Sequence, residues 1–177
     1  MKTFGGSVLF LDRSDINTDE IIPAKYLEEG DKKALQPYLF EDLKIEGFNP
    51  QTDVAGCKVI ITRENFGCGS NREHAPWALE VNGIYTVVAP TFAKAFKQNM
   101  ENCNVLGIEL DRKSMADIFH TFADKDAECK IVINDDDTAK VKLIAGSLSK
   151  SYPFKLGDAE KALLSKDNWA GFAESKF

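Results

Sequence analysis

The sequence predicts an α/β domain with a mostly parallel central sheet. Apolar, β-branched runs at 59–62 and 85–89 have the length and composition of buried strands. A helix-like segment at 77–82, stopped by Gly83, lies between them. A strand, a crossover helix and a second strand pair in parallel. With 177 residues the chain can bury one good core, and it reads as a single domain over 1–177.

The elements follow in order. Residues 7–11 are short and apolar, a first strand. Residues 12–20 are a polar loop with four acids and one arginine, which alone reads as a solvated segment with Asp, Asn and Thr caps. Residues 32–43 hold one or two short helices interrupted by Pro37, and 47–51 form a turn-rich connector. Pro90 stops the strand at 85–89, and Thr91 starts a helix to Met100. Its apolar residues Phe92, Ala93, Phe96 and Met100 keep helical spacing and pack a core. Asn99 and Asn102 read as a cap or turn pair. Residues 105–110 are another short strand, and 112–123 a helix with Ser114 near its start. Residues 130–133 and 139–143 flank an acidic tip at 134–138 and form a β-hairpin. The three adjacent aspartates of that tip lack the spacing of a calcium loop. Residues 146–154 are expected as a loop, and 156–166 and 169–172 as helical.

Composition excludes several classes of function. The net charge is −6, which argues against a nucleic-acid footprint and against an anionic membrane surface. No apolar run reaches the ~18–20 residues that span a bilayer. The first six residues lack an apolar signal core, so a cytoplasmic location is expected. Cys57, Cys68, Cys103 and Cys129 form no C-x-x-C pair, which suggests neither zinc nor a redox dithiol. They are expected to be reduced and to carry no cluster, since an iron–sulfur centre needs thiolates at close spacing. Cys68 reads as a small apolar residue filling its turn.

The chemistry concentrates at 63–77, Arg-Glu-Asn-Phe-Gly-Cys-Gly-Ser-Asn-Arg-Glu-His-Ala-Pro-Trp. This is a strand end, a turn and a helix start, the place where α/β sheets bind ligands. Gly67 and Gly69 let a ligand approach the backbone, and a helix N-terminus favours negative charge. Arg72 offers a planar fork suited to a carboxylate. A purely structural alternative stands beside this: Ser70 and Glu73 fit the S-x-x-E capping box. Pro76 constrains that alternative, because a helix from Asn71 would clash at its second turn. The helix is therefore either bent, or regular only from close to Pro76.

Residues 65–79 resemble the signature of the small subunits of 3-isopropylmalate dehydratase, the detached swivel domain of the aconitase superfamily. Asp15-Ile16-Asn17-Thr18-Asp19-Glu20-Ile21-Ile22-Pro23-Ala24-Lys25-Tyr26-Leu27 resembles the family's N-terminal signature. Val87-Val88-Ala89-Pro90-Thr91-Phe92-Ala93, with Phe96, Asn99 and Asn102, resembles a third block. The three cover about residues 5–110 in family order and leave a C-terminal hairpin and helices over about 111–177.

The resemblance implies a three-layer swivelling β/β/α domain. It implies a large partner subunit, in a heterodimer or heterotetramer, that holds a [4Fe–4S] cluster, with no cofactor or metal on this chain. The implied reaction is the dehydration and rehydration of a 2-hydroxy diacid in leucine biosynthesis, the cluster acting as Lewis acid on the hydroxyl. By the same resemblance Ser70, as an alkoxide, is the base, and Arg72 clamps a substrate carboxylate. Asn71 stands where the wider superfamily often has a second serine, and its amide still donates a hydrogen bond. Gly69 lies beside the substrate. Thr18 and Asp19 lie at the site, with Asp19 compensating charge on the arginine side. Glu73 and His74 support the turn, since the family's acid histidine is on the other polypeptide. Tyr26, Leu27, Glu28 and Glu29 belong to a loop facing the substrate's variable substituent. Glu28 and Glu29 match neither an apolar loop nor an arginine-bearing one, and they disfavour a third carboxylate. Homoaconitate, a dimethylmalate or a methylated citrate are the alternative substrates. A non-catalytic binding module of the same fold is the alternative function.

Overall fold

The computed structural model describes residues 1–165. The helix expected at 169–172 lies outside the described residues, as does the end of the one expected at 156–166. Strand β1 (Lys2–Leu11) is followed by the short helix α1 (Thr18–Ile21). Two 3₁₀ segments, Ala24–Tyr26 and Lys32–Tyr38, and helix α2 (Pro50–Asp53) lead to β2 (Val59–Thr62). Then come α3 (His74–Val81), β3 (Thr86–Ala89), α4 (Lys94–Asn102), β4 (Leu106–Glu109) and α5 (Arg112–Phe122). Strands β5 (Glu128–Ile133), β6 (Thr138–Ala145) and β7 (Leu148–Lys155) and helix α6 (Asp158–Leu164) complete the described chain.

The seven strands form one sheet in the order β4-β3-β2-β1-β5-β6-β7. The predicted parallel pairing holds from β4 through β1. An antiparallel wing, β5 to β7, extends it. Strand β1 serves both halves: Val8 to Leu11 pair with β2, and Lys2 to Ser7 with β5. At the crossing β5 comes so close that a Cβ on Gly5 would lie 2.0 Å from the Cys129 carbonyl oxygen. Gly5 and Gly6 therefore belong to the strand and do not precede it, so β1 starts five residues before the predicted 7–11 run.

Both faces of the parallel half are covered, which is why β2 and β3 are buried at every position. On one face Ile60, Val87, Leu9 and Leu11 pack with Ala75, Ala78 and Leu79 of α3 and Phe96 and Met100 of α4. On the other, Val59, Ile61 and Val88 share a core with Met115, Ile118 and Phe122 of α5 and with Ile131, Val141 and Leu143 of the wing. The apolar side of the wing thus faces the same core as the parallel strands.

Two predicted segments differ. Residues 146–154 are not a loop. Gly146 takes φ +61 in a two-residue turn, and β7 pairs back on β6 from Ala145↔Leu148 to Thr138↔Lys155. Pro153 sits in β7 because β7 is the edge of the sheet, where a missing N–H costs no ladder bond. The 12–20 segment is not all loop either: Asn17 and Glu20 form a reciprocal capping box that starts α1.

Candidate active site

Strands β1, β2 and β3 all end on the same edge of the parallel sheet. The chain segments leaving them are stitched together there. Asp15 N–H donates to the Glu64 carbonyl (2.8 Å), Gly67 N–H to Ile16 (2.8 Å) and Thr18 N–H to Cys68 (2.9 Å). From the other side Ala93 N–H donates to the Phe66 carbonyl (3.0 Å), and Asn65 N–H to Thr91 Oγ1 (2.8 Å). The 64–70 segment is therefore held on both flanks by backbone hydrogen bonds, with little freedom left. Gly67 lies at φ +83 directly under the Phe96 ring, and a Cβ there would approach the ring to 2.1 Å. Phe66 contacts Phe92 and Phe96 edge to face, with centroids 6.4 and 5.5 Å apart.

Beyond this stitched base the turn stands out into solvent. Gly69, Ser70 and Asn71 are exposed. The buried hydroxyl of Thr18 donates to the Ser70 carbonyl at 2.9 Å, which fixes the Ser70 backbone. The Ser70 hydroxyl itself makes no hydrogen bond to any described residue and is open. The capping-box alternative does not form. Helix α3 begins at His74, Glu73 is its N-cap residue, and no side chain caps it. Pro76 then sits in the first turn, where its missing N–H costs nothing. The regular helix thus starts close to Pro76, and Ser70 lies four residues before it. Arg72, two residues along the chain from Ser70, carries a permanent positive charge.

Arg72 is largely buried, with its side chain 16% exposed, and its Nη1 donates to Asp19 Oδ1; Asp19 is 60% exposed. Among the described residues only Nη1 makes a hydrogen bond, which leaves the other N–H groups for a carboxylate. Asp19 is placed by α1. The Arg13 guanidinium, hydrogen-bonded to Glu20, holds the Glu20 carboxyl below its usual range, and Glu20 in turn closes the capping box with Asn17. Thr18 and Asp19 are thus brought to the turn, one on its backbone and one on its arginine.

The other predicted residues fall into two groups. His74 packs against Trp77, and its Nε2 lies 2.8 Å from the Glu29 carbonyl. A carbonyl only accepts, so Nε2 carries the proton in this contact. His74 therefore anchors the 26–30 loop to the start of α3. Glu73 is exposed and leads into α3 as its N-cap residue. Tyr26 stacks on Tyr38 at 4.1 Å, and its hydroxyl donates to Glu41 at 3.0 Å. Glu28 and Glu29 point to solvent, and Leu27 is half-buried. Among the described residues, no hydrogen bond joins Tyr26, Leu27 or Glu28 to the 69–72 turn.

Asn99 was expected as a cap or turn residue with Asn102. It lies inside α4, and its Nδ2 donates to Asn71 Oδ1. Asn102 is the last residue of α4. No spacing rule links positions 71 and 99; only the docking of α4 on Gly67 brings them together. Cys68 is half-buried; burial first, and the nearby Asp15 carboxylate second, push its thiol up, so it stays protonated at neutral pH. All four cysteines are free. No helix among the described residues is long and apolar enough to cross a membrane.

Comparison with known proteins places this geometry in a family. Residues 28–113 match the model of the aconitase C-terminal domain. The chain is 32% identical to the 3-isopropylmalate dehydratase small subunit of Leptospira interrogans over 93% of its length and 84% of that protein. It is 35% identical to the small subunit of the same name from Geobacillus sp. (strain WCH70) over 73% of its length and 70% of that protein. The crystal structure of a 3-isopropylmalate dehydratase from Methanocaldococcus jannaschii superposes with a TM-score of 0.70 at 24% identity, over 98% of this chain and 95% of that one. That superposition shows that the fold is shared.

Proposed function

We infer the function of this chain from its family: it belongs to the 3-isopropylmalate dehydratase small subunits, in the aconitase superfamily. It is one half of a hydro-lyase that interconverts 2-isopropylmalate and 3-isopropylmalate in leucine biosynthesis. The other half is a large iron–sulfur subunit that closes over the Ser70 turn. The observation that carries this reading is the turn itself, an exposed hydroxyl on a rigid base, two residues from an arginine with donors to spare.

This chain does not fit an iron–sulfur cluster. Its cysteines are free, two of them are buried, and among the described residues no three His, Cys, Asp or Glu side chains converge. The cluster is therefore assigned to the large subunit, whose contribution is Lewis-acid help to the departing hydroxyl. What this chain supplies is proton transfer and orientation. Ser70 takes the proton from the carbon beside a carboxylate and returns it in the hydration direction. A serine hydroxyl is a very weak acid, so its alkoxide needs nearby positive charge and the exclusion of water. Arg72 provides the charge, and the covering subunit excludes the water. Arg72 also binds a substrate carboxylate, with Asp19 holding the guanidinium still. Asn71 donates its amide to the same carboxylate, and Gly69 leaves room for it.

A panel of hydroxy diacids, with homoaconitate as the tricarboxylate, given to the purified two-subunit complex tests the substrate. The isopropylmalates should turn over fastest, and homoaconitate, with its third carboxylate facing Glu28 and Glu29, slowest. Faster turnover of the tricarboxylate would overturn this assignment. A dimethylmalate is the second reading, favoured by a loop that carries two acids and no apolar side chain beyond Leu27.

A further inference from the structure

We propose that Asn99 is a positioning residue: through Asn71 it sets which end of the Asn71 amide faces the substrate. The inference deepens the function proposed above and rests on it. A terminal amide has a donor end and an acceptor end of nearly equal shape, so an exposed asparagine has no built-in preference for either. For a carboxylate only the donor end is useful. Asn71 is exposed on the turn, and its Oδ1 accepts from Asn99 Nδ2. With its oxygen engaged, Asn71 is left to offer its NH₂ group outward.

Asn99 can do this because α4 cannot shift relative to the turn. Phe96 covers Gly67 so closely that no side chain fits between them, and Ala93, just before α4, is hydrogen-bonded to the Phe66 carbonyl. Asn99 lies three residues after Phe96, on the same side of the helix. The contact that seats α4 on the glycine thus also carries Asn99 to Asn71. A seryl hydroxyl at position 71 would rotate freely to donate and would need no such partner.

The experiment is a double-mutant cycle in the two-subunit complex, with initial rates measured on 3-isopropylmalate. Asn99→Ala should lower kcat/KM about tenfold, mostly through KM, with the melting temperature of the complex unchanged. Asn99→Asp, which can only accept at neutral pH, should turn the Asn71 oxygen outward and cost more than Asn99→Ala. In an Asn71→Ala background neither change at position 99 should cost anything further. Effects of the two positions that simply multiply would overturn the inference while leaving the enzymatic reading intact. So would an Asn99→Asp enzyme as active as wild type. A wild-type complex with no turnover at all would overturn the enzymatic reading and, with it, this inference.

Discussion

At the scale of the residue, the proposed function gives one hydroxyl and one guanidinium separate jobs. Arg72→Lys keeps the charge but removes the planar fork. KM should rise about 10–100-fold while kcat changes less, since a bidentate carboxylate contact is made in the ground state as well. Steady-state kinetics on the complex checks this. Unfolding should barely register the change, because Asp19, the partner of Arg72, is mostly exposed and such pairs stabilise little. Glu20 behaves differently. Its carboxyl is depressed by Arg13, so its contribution to stability is complete above about pH 4.5 and is lost as the pH falls through its lower folded value. Glu20→Gln should therefore cost about 1 kcal/mol at pH 7 and progressively less below pH 4.5, as denaturant unfolding at several pH values would show. Most of these residues were visible in the sequence because they cluster within 12–20 and 63–77. Asn99 was visible only as a signature position and a cap; its contact with Asn71 was not, because that partner lies 28 positions away.

At the scale of the element, the Gly67 turn is a joint between β2 and α4. Gly67→Ala adds a methyl group against the Phe96 ring in a left-handed backbone, and should destabilise the fold by about 3 kcal/mol. Gly47→Ala is the control. Its φ is +80 as well, but nothing lies within 4 Å, so about 1 kcal/mol is expected from the backbone alone. Chemical unfolding of both variants separates steric clash from dihedral strain. The helices and buried strands of the parallel half were legible from periodicity, since their apolar residues face two covered sides. Strand β7 was not. It is an edge strand with Tyr152 its one buried position, and its Ser, Lys and Pro composition is that of a loop. The N-terminal half of β1 was hidden in the same way, because Gly5 and Gly6 look like breakers until β5 is seen to need the smallness of Gly5 and the Lys58 side chain that of Gly6.

At the scale of the whole molecule, the sheet topology sets where the proposed site stands and what it leaves open. Parallel pairing of β1, β2 and β3 brings three strand ends to one edge, and the segments beyond them build a rigid platform with Ser70 at its exposed crest. Among the described residues such a platform has no walls of its own, so the proposed catalysis needs a second polypeptide to cover it. His74, by holding the Glu29 carbonyl, ties the 26–30 loop to the start of α3. The most direct measurement of the account is turnover of 3-isopropylmalate by the reconstituted two-subunit complex, wild type against Ser70→Ala, with assembly verified by gel filtration. Ser70→Ala should assemble normally and lose about 10³-fold in kcat. A Ser70→Ala complex that assembles and keeps kcat within a few-fold of wild type would contradict it.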